Sequence, residues 1–432
     1  VWGTAAPGEK ITVTFAGQTA VGTADENGYW KVALAPLVAS SEGRELTVAG
    51  ADLATPVIIK NVVVGEVWLL SGQSNMQWEI GQTKFYGLEK ETADYPLIRE
   101  IQVARENNYY PLTELPVPAR PWRACSPDTV GNFSAAGFFF GRKLFEELQV
   151  PIGLVNAAMG GTRIEPWMAP ESFSGDPALE KGAADANAYN LRIPEGRERF
   201  LEKLAQRSVW EAESRDVLAA GRFPAREPEA LFRGNIHQTQ RPSALFNGMI
   251  YPLVPHAFRG VIWYQGENNG GEDDPYVVMK KALINGWRDL WGRGDFPFYF
   301  AQISSINQPT PDNPAGGGNF VPVRNAQLRS LAITNTGMAV TIDLNETADL
   351  HPDNKKDVGE RLALWALAND YDRDIECSGP VFREQKTEGN TIRLFFDHTG
   401  GGLMVGRKEG LKPAEEVVDG ELKHFAVAGS DM

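Results

Sequence analysis

The chain has 432 residues, of which 42% are hydrophobic and 23% charged, and a formal net charge of −14. That length predicts two or three domains around a large core, and the composition is that of a soluble globular protein rather than a disordered or disulfide-stapled one. The acidic balance disfavours nucleic acid or an anionic membrane as a partner, since both require a basic face, and no run of eighteen apolar residues exists to span a bilayer.

Residues 1–63 alternate in short runs such as Lys10-Ile-Thr-Val-Thr-Phe15 and Trp30-Lys-Val-Ala-Leu34, broken by turn chemistry such as Asp25-Glu-Asn-Gly28. Period-two patterning of this kind predicts the N-terminal part of a β-sandwich module. The first residues already read as strand, and no signal-peptide pattern is visible in them. From residue 64 to about 375 the pattern changes. Apolar runs at 67–70, 154–158, 261–264, 298–303 and 339–344 alternate with helix-length segments, among them 135–148, 275–291 and 355–367. Short apolar strands spaced by amphipathic helices predict a parallel sheet covered on both faces, a three-layer α/β/α (flavodoxin-like) domain. A polar, charge-rich insertion at about 171–242 carries a predicted helix near 195–215. Residues 376–432 return to the β pattern, as in Thr391-Ile-Arg-Leu-Phe-Phe396, and are expected to complete or join the sandwich, two separate β caps being the alternative.

In an open parallel sheet, functional groups gather beyond the carboxyl ends of the strands. After 67–70 comes Ser71-Gly-Gln-Ser-Asn-Met76; after 154–158, Met159-Gly-Gly-Thr-Arg-Ile-Glu165; after 261–264, Gln265-Gly-Glu-Asn-Asn269; and after 339–344, a loop ending Asp349-Leu-His351-Pro352. Serine, base, acid and amide donors on one edge are the inventory of acyl transfer. An α/β-hydrolase elbow needs Gly-x-Ser-x-Gly, which methionine at position 76 excludes. Cys125 and Cys377 show no CxxC spacing and read as free thiols. The five histidines, at 237, 256, 351, 398 and 424, have no paired-ligand spacing, so neither metal nor cofactor is expected.

Gly72-Gln-Ser-Asn75 resembles the first signature of the SGNH (GDSL-like) hydrolases. The longer Gly65-Glu-Val-Trp68 to Met76 string resembles their sialate O-acetylesterase branch, which neighbours some acetylxylan esterases. Gly160-Gly-Thr-Arg-Ile-Glu-Pro-Trp167, Ile262-Trp-Tyr-Gln-Gly-Glu-Asn268 and His351-Pro352 follow in the order of that branch. The resemblance implies a carbohydrate O-acetylesterase acting on acetylated sialic acid, or on acetylated xylan or another plant glycan. It also implies extracytoplasmic location. A carbohydrate-binding protein with a dead hydrolase domain is the competing class.

By the same resemblance Ser74 is the nucleophile and His351 the base, kept neutral by the helix that opens after Pro352; Ser71 falls outside the motif core and is expected to bond the turn. The main-chain amides of Ser74 and Gly161 and the Gln265 side chain are matched to the oxyanion hole, with Asn268 as the alternative donor. The acid that orients His351 is open. The superfamily places an aspartate three residues before the histidine, where this chain has Ala348, so Asp349 is favoured and Glu267 is the second candidate. Arg163, Trp78 and Trp167 flank the site, either as a carboxylate partner and sugar-stacking faces or as a loop brace and core residues.

Overall fold

The computed structural model describes residues 1–51, 55–188, 190–225, 240–306, 318–344 and 349–422. Part of the expected insertion, His237, His424 and Ala348 lie outside the described residues. The predicted 195–215 helix is present within the insertion, as Pro194–Ala219.

Near the N-terminus, Ile11, Val13 and Phe15 point inward from Lys10–Phe15 while Lys10 and Thr14 are exposed, which is the pleat of a half-buried strand. Six strands form here: β1 (Trp2–Thr4), β2 (Lys10–Phe15), β3 (Gln18–Thr23), β4 (Tyr29–Lys31), β5 (Ser40–Gly50) and β6 (Val57–Val64). They make an antiparallel sheet in the order β3-β2-β5-β6 and a separate β1-β4 pair. Ile11, Val13, Phe15, Leu46 and Val48 of the larger sheet meet Ala24, Trp30 and Val32 in a hydrophobic core of their own.

Seven strands build the central sheet: β7 (Glu66–Gly72), β8 (Tyr95–Gln102), β9 (Arg120–Cys125), β10 (Ile152–Ala158), β11 (Gly260–Tyr264), β12 (Phe298–Ala301) and β13 (Thr336–Ala339), in the order β13-β12-β11-β7-β10-β8-β9. All pairings are parallel except that of β9, which runs antiparallel at the edge. The chain first fills one side of β7, with β10 inserted last between β7 and β8, and then builds outward on the other, so a crevice opens beyond its carboxyl end. The apolar run at 339–344 is not the last strand. β13 lies just before it, and the run leaves the sheet when Thr341 Oγ1 donates to the Gln302 carbonyl and the Leu344 amide turns back onto Thr341.

Eight α-helices accompany these strands among the described residues: α1 (Ser74–Gln77), α2 (Tyr86–Thr92), α3 (Ala135–Leu148), α4 (Glu180–Asn187), α5 (Pro194–Ala219), α6 (Asp274–Trp291), α7 (Phe320–Arg329) and α8 (Lys355–Asp370). Trp68 of β7 meets Phe140 of α3 edge to face, while Trp263 of β11 meets Trp287 of α6. Trp68 is in register with Gly260 and Ser71 with Trp263, so the two tryptophans lie on opposite faces of the sheet and the domain has three layers. No described helix is long and apolar enough to cross a membrane.

The C-terminal strands β14 (Val381–Glu388) and β15 (Thr391–Asp397) pair with each other, as do β16 (Gly406–Arg407) and β17 (Glu415–Glu416). Just beyond β16, Lys408 forms an ion pair with Asp357, and the Gly410 carbonyl accepts from the Asn354 side chain.

Helices α3 and α8 pack side by side at a glycine. A Cβ on Gly359 would lie 2.5 Å from the Ala136 carbonyl oxygen and 2.6 Å from the Phe140 nitrogen, both backbone atoms that cannot swing aside. Gly359→Ala is therefore expected to lower stability by at least about 2 kcal/mol, read as a lower urea midpoint; an unchanged midpoint would show that the helices can separate at no cost.

Candidate active site

β7 ends in a turn that only glycine fits. Gly72 has φ +129°, and a Cβ there would lie 2.2 Å from the Tyr264 carbonyl oxygen. That oxygen accepts the Gln73 amide, and α1 begins at Ser74. The glutamines of the turn are structural. Gln73 Oε1 accepts from the Gly266 and Asn268 amides at 3.4 Å each, and Gln77 Oε1 accepts from the Gly160 amide at 2.7 Å. The loops after β11 and β10 are thereby tied to the serine turn, and a Cβ on Gly160 would lie 3.3 Å from the Ser74 Cβ. Among the described residues the main-chain amides of Ser74 and Gly161 have no hydrogen-bond partner, so both remain donors.

Ser74 Oγ lies 2.9 Å from His351 Nε2. The imidazole stacks on Trp78 with ring centroids 4.3 Å apart and planes within 12°. Asp349 Oδ1 accepts the main-chain amide of His351 at 2.8 Å. Asn75, next to the serine, donates to the Leu350 carbonyl at 3.1 Å and to Glu267 Oε1. The buried Lys355 donates to Asn75 Oδ1 at 2.7 Å and to the Pro352 carbonyl at 2.6 Å. Burial holds the His351 pKa below its ordinary value, the Lys355 charge adds to the effect and Asp349 opposes it. Burial likewise brings Lys355 down to about 7 and pushes the Glu267 carboxyl up.

Ser74, His351, Asp349, Glu267, Gly161 and Trp78 thus gather at one edge, with roles that differ in part from those expected. Neither Asp349 nor Glu267 hydrogen-bonds His351 Nδ1 among the described residues: Asp349 is turned to the main chain, and Glu267 is taken by Asn75. Gln265 is not an oxyanion donor. It is fully buried, its Nε2 donates to the Thr162 carbonyl and Asn269 Oδ1, and its Oε1 accepts from Tyr276. Asn268 is exposed and donates through Nδ2 to the Gly161 carbonyl at 2.9 Å, bracing the glycine loop. Trp167 is core, with no exposed ring, edge to face with Trp263 and donating to Thr162 Oγ1. Arg163 braces its loop through ion pairs with Glu165 and Glu272. Ser71 Oγ is buried and donates to the Ala157 carbonyl, whereas Ser74 Oγ is the serine oxygen of the turn that meets His351. Asn75 and Lys355 had no role assigned from sequence. Asn75 stands within the quoted motif, whereas for Lys355 the signal was a lysine at the first position of a helix, which reads as a solvated end.

A serine–histidine pair at the switch point of a three-layer, mostly parallel sheet, with glycine-loop amides beside it, is the arrangement of SGNH-type hydrolases. The chain belongs to the carbohydrate esterase, sialic acid-specific acetylesterase family, which it matches over residues 64–190 and 235–368. It is 30% identical to the sialate O-acetylesterase of Mus musculus, over 92% of this chain and 75% of that protein, and 30% identical to that of Rattus norvegicus, over 95% and 77%. In fold it is similar to a carbohydrate acetylesterase from Xanthomonas citri, with a TM-score of 0.72 at 29% identity, covering 96% of this chain and 83% of the other.

A histidine that accepts a serine proton must be neutral, so its pKa sets the acid limb of the rate. Because burial and Lys355 hold that pKa down, kcat/KM for an acetyl ester should rise through one ionisation below the ordinary imidazole value of ~6.5 and then level off. With chemistry rate-limiting, a limb centred above that value would contradict the assignment of His351 as base.

Proposed function

We propose that the protein is a serine-dependent carbohydrate O-acetylesterase that works through an acetyl-enzyme, with O-acetylated sialic acid as its substrate. The observation that carries the reading is the 2.9 Å approach of Ser74 Oγ to His351 Nε2. In this mechanism Ser74 Oγ attacks the acetyl carbonyl carbon while its proton passes to Nε2. The oxyanion receives the main-chain amides of Ser74 and Gly161 as donors. Collapse of the tetrahedral species breaks the bond to the sugar oxygen, which takes the proton from the imidazolium and leaves as a hydroxyl. Water then attacks the acetyl carbon, His351 takes its proton, and acetate departs as Ser74 recovers the proton.

A second reading, an acetyl ester on a neutral glycan such as xylan, is favoured by Arg163. A sialate carboxylate wants a cation, and the guanidinium beside this site is already shared between Glu165 and Glu272. In either case we place the activity outside the cytoplasm, where acetylated glycans are met. The catalytic proposal predicts that Ser74→Ala lowers kcat/KM on p-nitrophenyl acetate by at least about 10⁴-fold with an unchanged circular-dichroism spectrum. Retained turnover in that variant would refute it. For the substrate, kcat/KM is compared between O-acetylated sialosides and acetylated xylo-oligosaccharides: preference for the sialosides is expected, and the reverse ranking moves the substrate to neutral glycans.

A further inference from the structure

Both carbonyls that flank His351 are held from outside its loop. The Leu350 carbonyl accepts from Asn75 Nδ2 and the Pro352 carbonyl from Lys355 Nζ, while the amide of His351 itself is held by Asp349. Asn75 and Lys355 are joined to each other through the Asn75 amide oxygen, 280 residues apart in the chain. We propose that Asn75 and Lys355 are the positioning residues of His351, a main-chain clamp that keeps its Nε2 on Ser74, the task that a carboxylate at Nδ1 performs in serine proteases.

This proposal rests on the Ser74–His351 reading and adds the way in which the base is aimed. Three consecutive main-chain groups, the carbonyl before His351, its own N–H and the carbonyl after it, fix the backbone, and the stacked Trp78 ring leaves the imidazole one plane to occupy. Asn75 is covalently next to Ser74, so a movement of the serine turn carries the base with it and their separation is preserved. A lysine with no exposed surface is costly to bury unless its hydrogens are used, and Lys355 spends its ammonium on two neutral acceptors while Glu267 stands beyond Asn75. A neutral amine still has two hydrogens for those two acceptors, so the clamp survives loss of the Lys355 proton. The charged groups around it are few: Glu267, Asp353 and Asp349 act on Lys355, and Lys355 and Asp349 act on His351.

The test is steady-state hydrolysis of p-nitrophenyl acetate from pH 5 to 9 by the full chain and its Lys355→Met, Asn75→Ala and Asp349→Asn variants, with Ser74→Ala as the control for the underlying reading. Lys355→Met and Asn75→Ala should each lower kcat by at least about tenfold with little change in KM. Lys355→Met should also move the acid limb upward, because a positive charge beside the imidazole is gone; a loss of folded protein alone would leave the limb in place. Asp349→Asn should cost clearly less than either clamp variant, since the asparagine oxygen accepts a main-chain amide as the carboxylate does. A loss near 10⁴-fold in Asp349→Asn, with Lys355→Met unimpaired, would make Asp349 the triad acid and overturn the clamp. If Lys355→Met does not fold, Asn75→Ala and Asp349→Asn decide the matter alone: loss in the first with retention in the second supports the clamp, and the opposite ranking overturns it. Ser74→Ala with wild-type activity would instead remove the underlying reading.

Discussion

β7 hydrogen-bonds to a parallel neighbour on each side, β10 and β11, in a register that aligns Ala158, Gly72 and Tyr264 at their last pairs. Because parallel strands end on the same side and neighbours lie about 4.8 Å apart, the three loops that follow must emerge within roughly 10 Å of one another. Everything at the candidate site follows from that crowding. Gly72 has to be glycine because the Tyr264 carbonyl is already there, and Gln73 and Gln77 can reach the neighbouring loops because those loops have nowhere else to go. The loop carrying His351 comes from farther out, beyond β13, and is the one piece that the sheet alone does not bring to Ser74.

That piece is held by polar groups in a dry place. The buried Lys355 and the half-buried Glu267 are the two titratable groups on either side of the Asn75 amide, which donates to Glu267 and accepts from Lys355. An isolated ion would be expelled from such a site, and a direct ion pair would bring its own desolvation penalty. The amide between them spreads the interaction over three side chains from three elements. Removal of any one leaves a buried polar group without a partner, so these residues act as a unit.

Much of this was legible in the chain. The strands at β7, β10 and β11 are short apolar runs followed at once by small polar residues, and α3, with its buried Phe138, Phe139 and Phe140, starts and stops where its pattern does. β8 was not legible, because its inward positions Ile98, Glu100 and Gln102 break the apolar alternation: Glu100 is buried, accepting the Ser134 amide. β13 was hidden by Gly337, where a Cβ would lie 2.3 Å from the Trp365 ring, so the strand lacks the bulk that usually marks one. At the site, motif order pointed to Ser74 and His351, whose side chains meet at 2.9 Å. The same reasoning matched the buried Gln265 to the oxyanion hole and left Trp167 open between cleft and core, because nothing local reports whether an amide or an indole faces one or the other. Lys355 was beyond reach for the same reason, its partner Asn75 lying in a distant part of the chain.

The contact between the segment just beyond β16 and the start of α8 reaches further than its size suggests. Asn354 caps α8 by accepting the Asp357 amide at its side-chain oxygen, and its amide nitrogen donates to Asp357 Oδ2 and the Gly410 carbonyl, while Lys408 closes the group from the far side. Three residues upstream of that cap stands His351. The C-terminal segment therefore cannot be exchanged as an independent cassette. A fusion or replacement that cuts before Lys408 would leave the sheet, the serine turn and the cap bond itself in place yet remove the two groups that hold Asn354 and Asp357 from outside, so the loop that carries the histidine would lose its support in a protein that still looks folded.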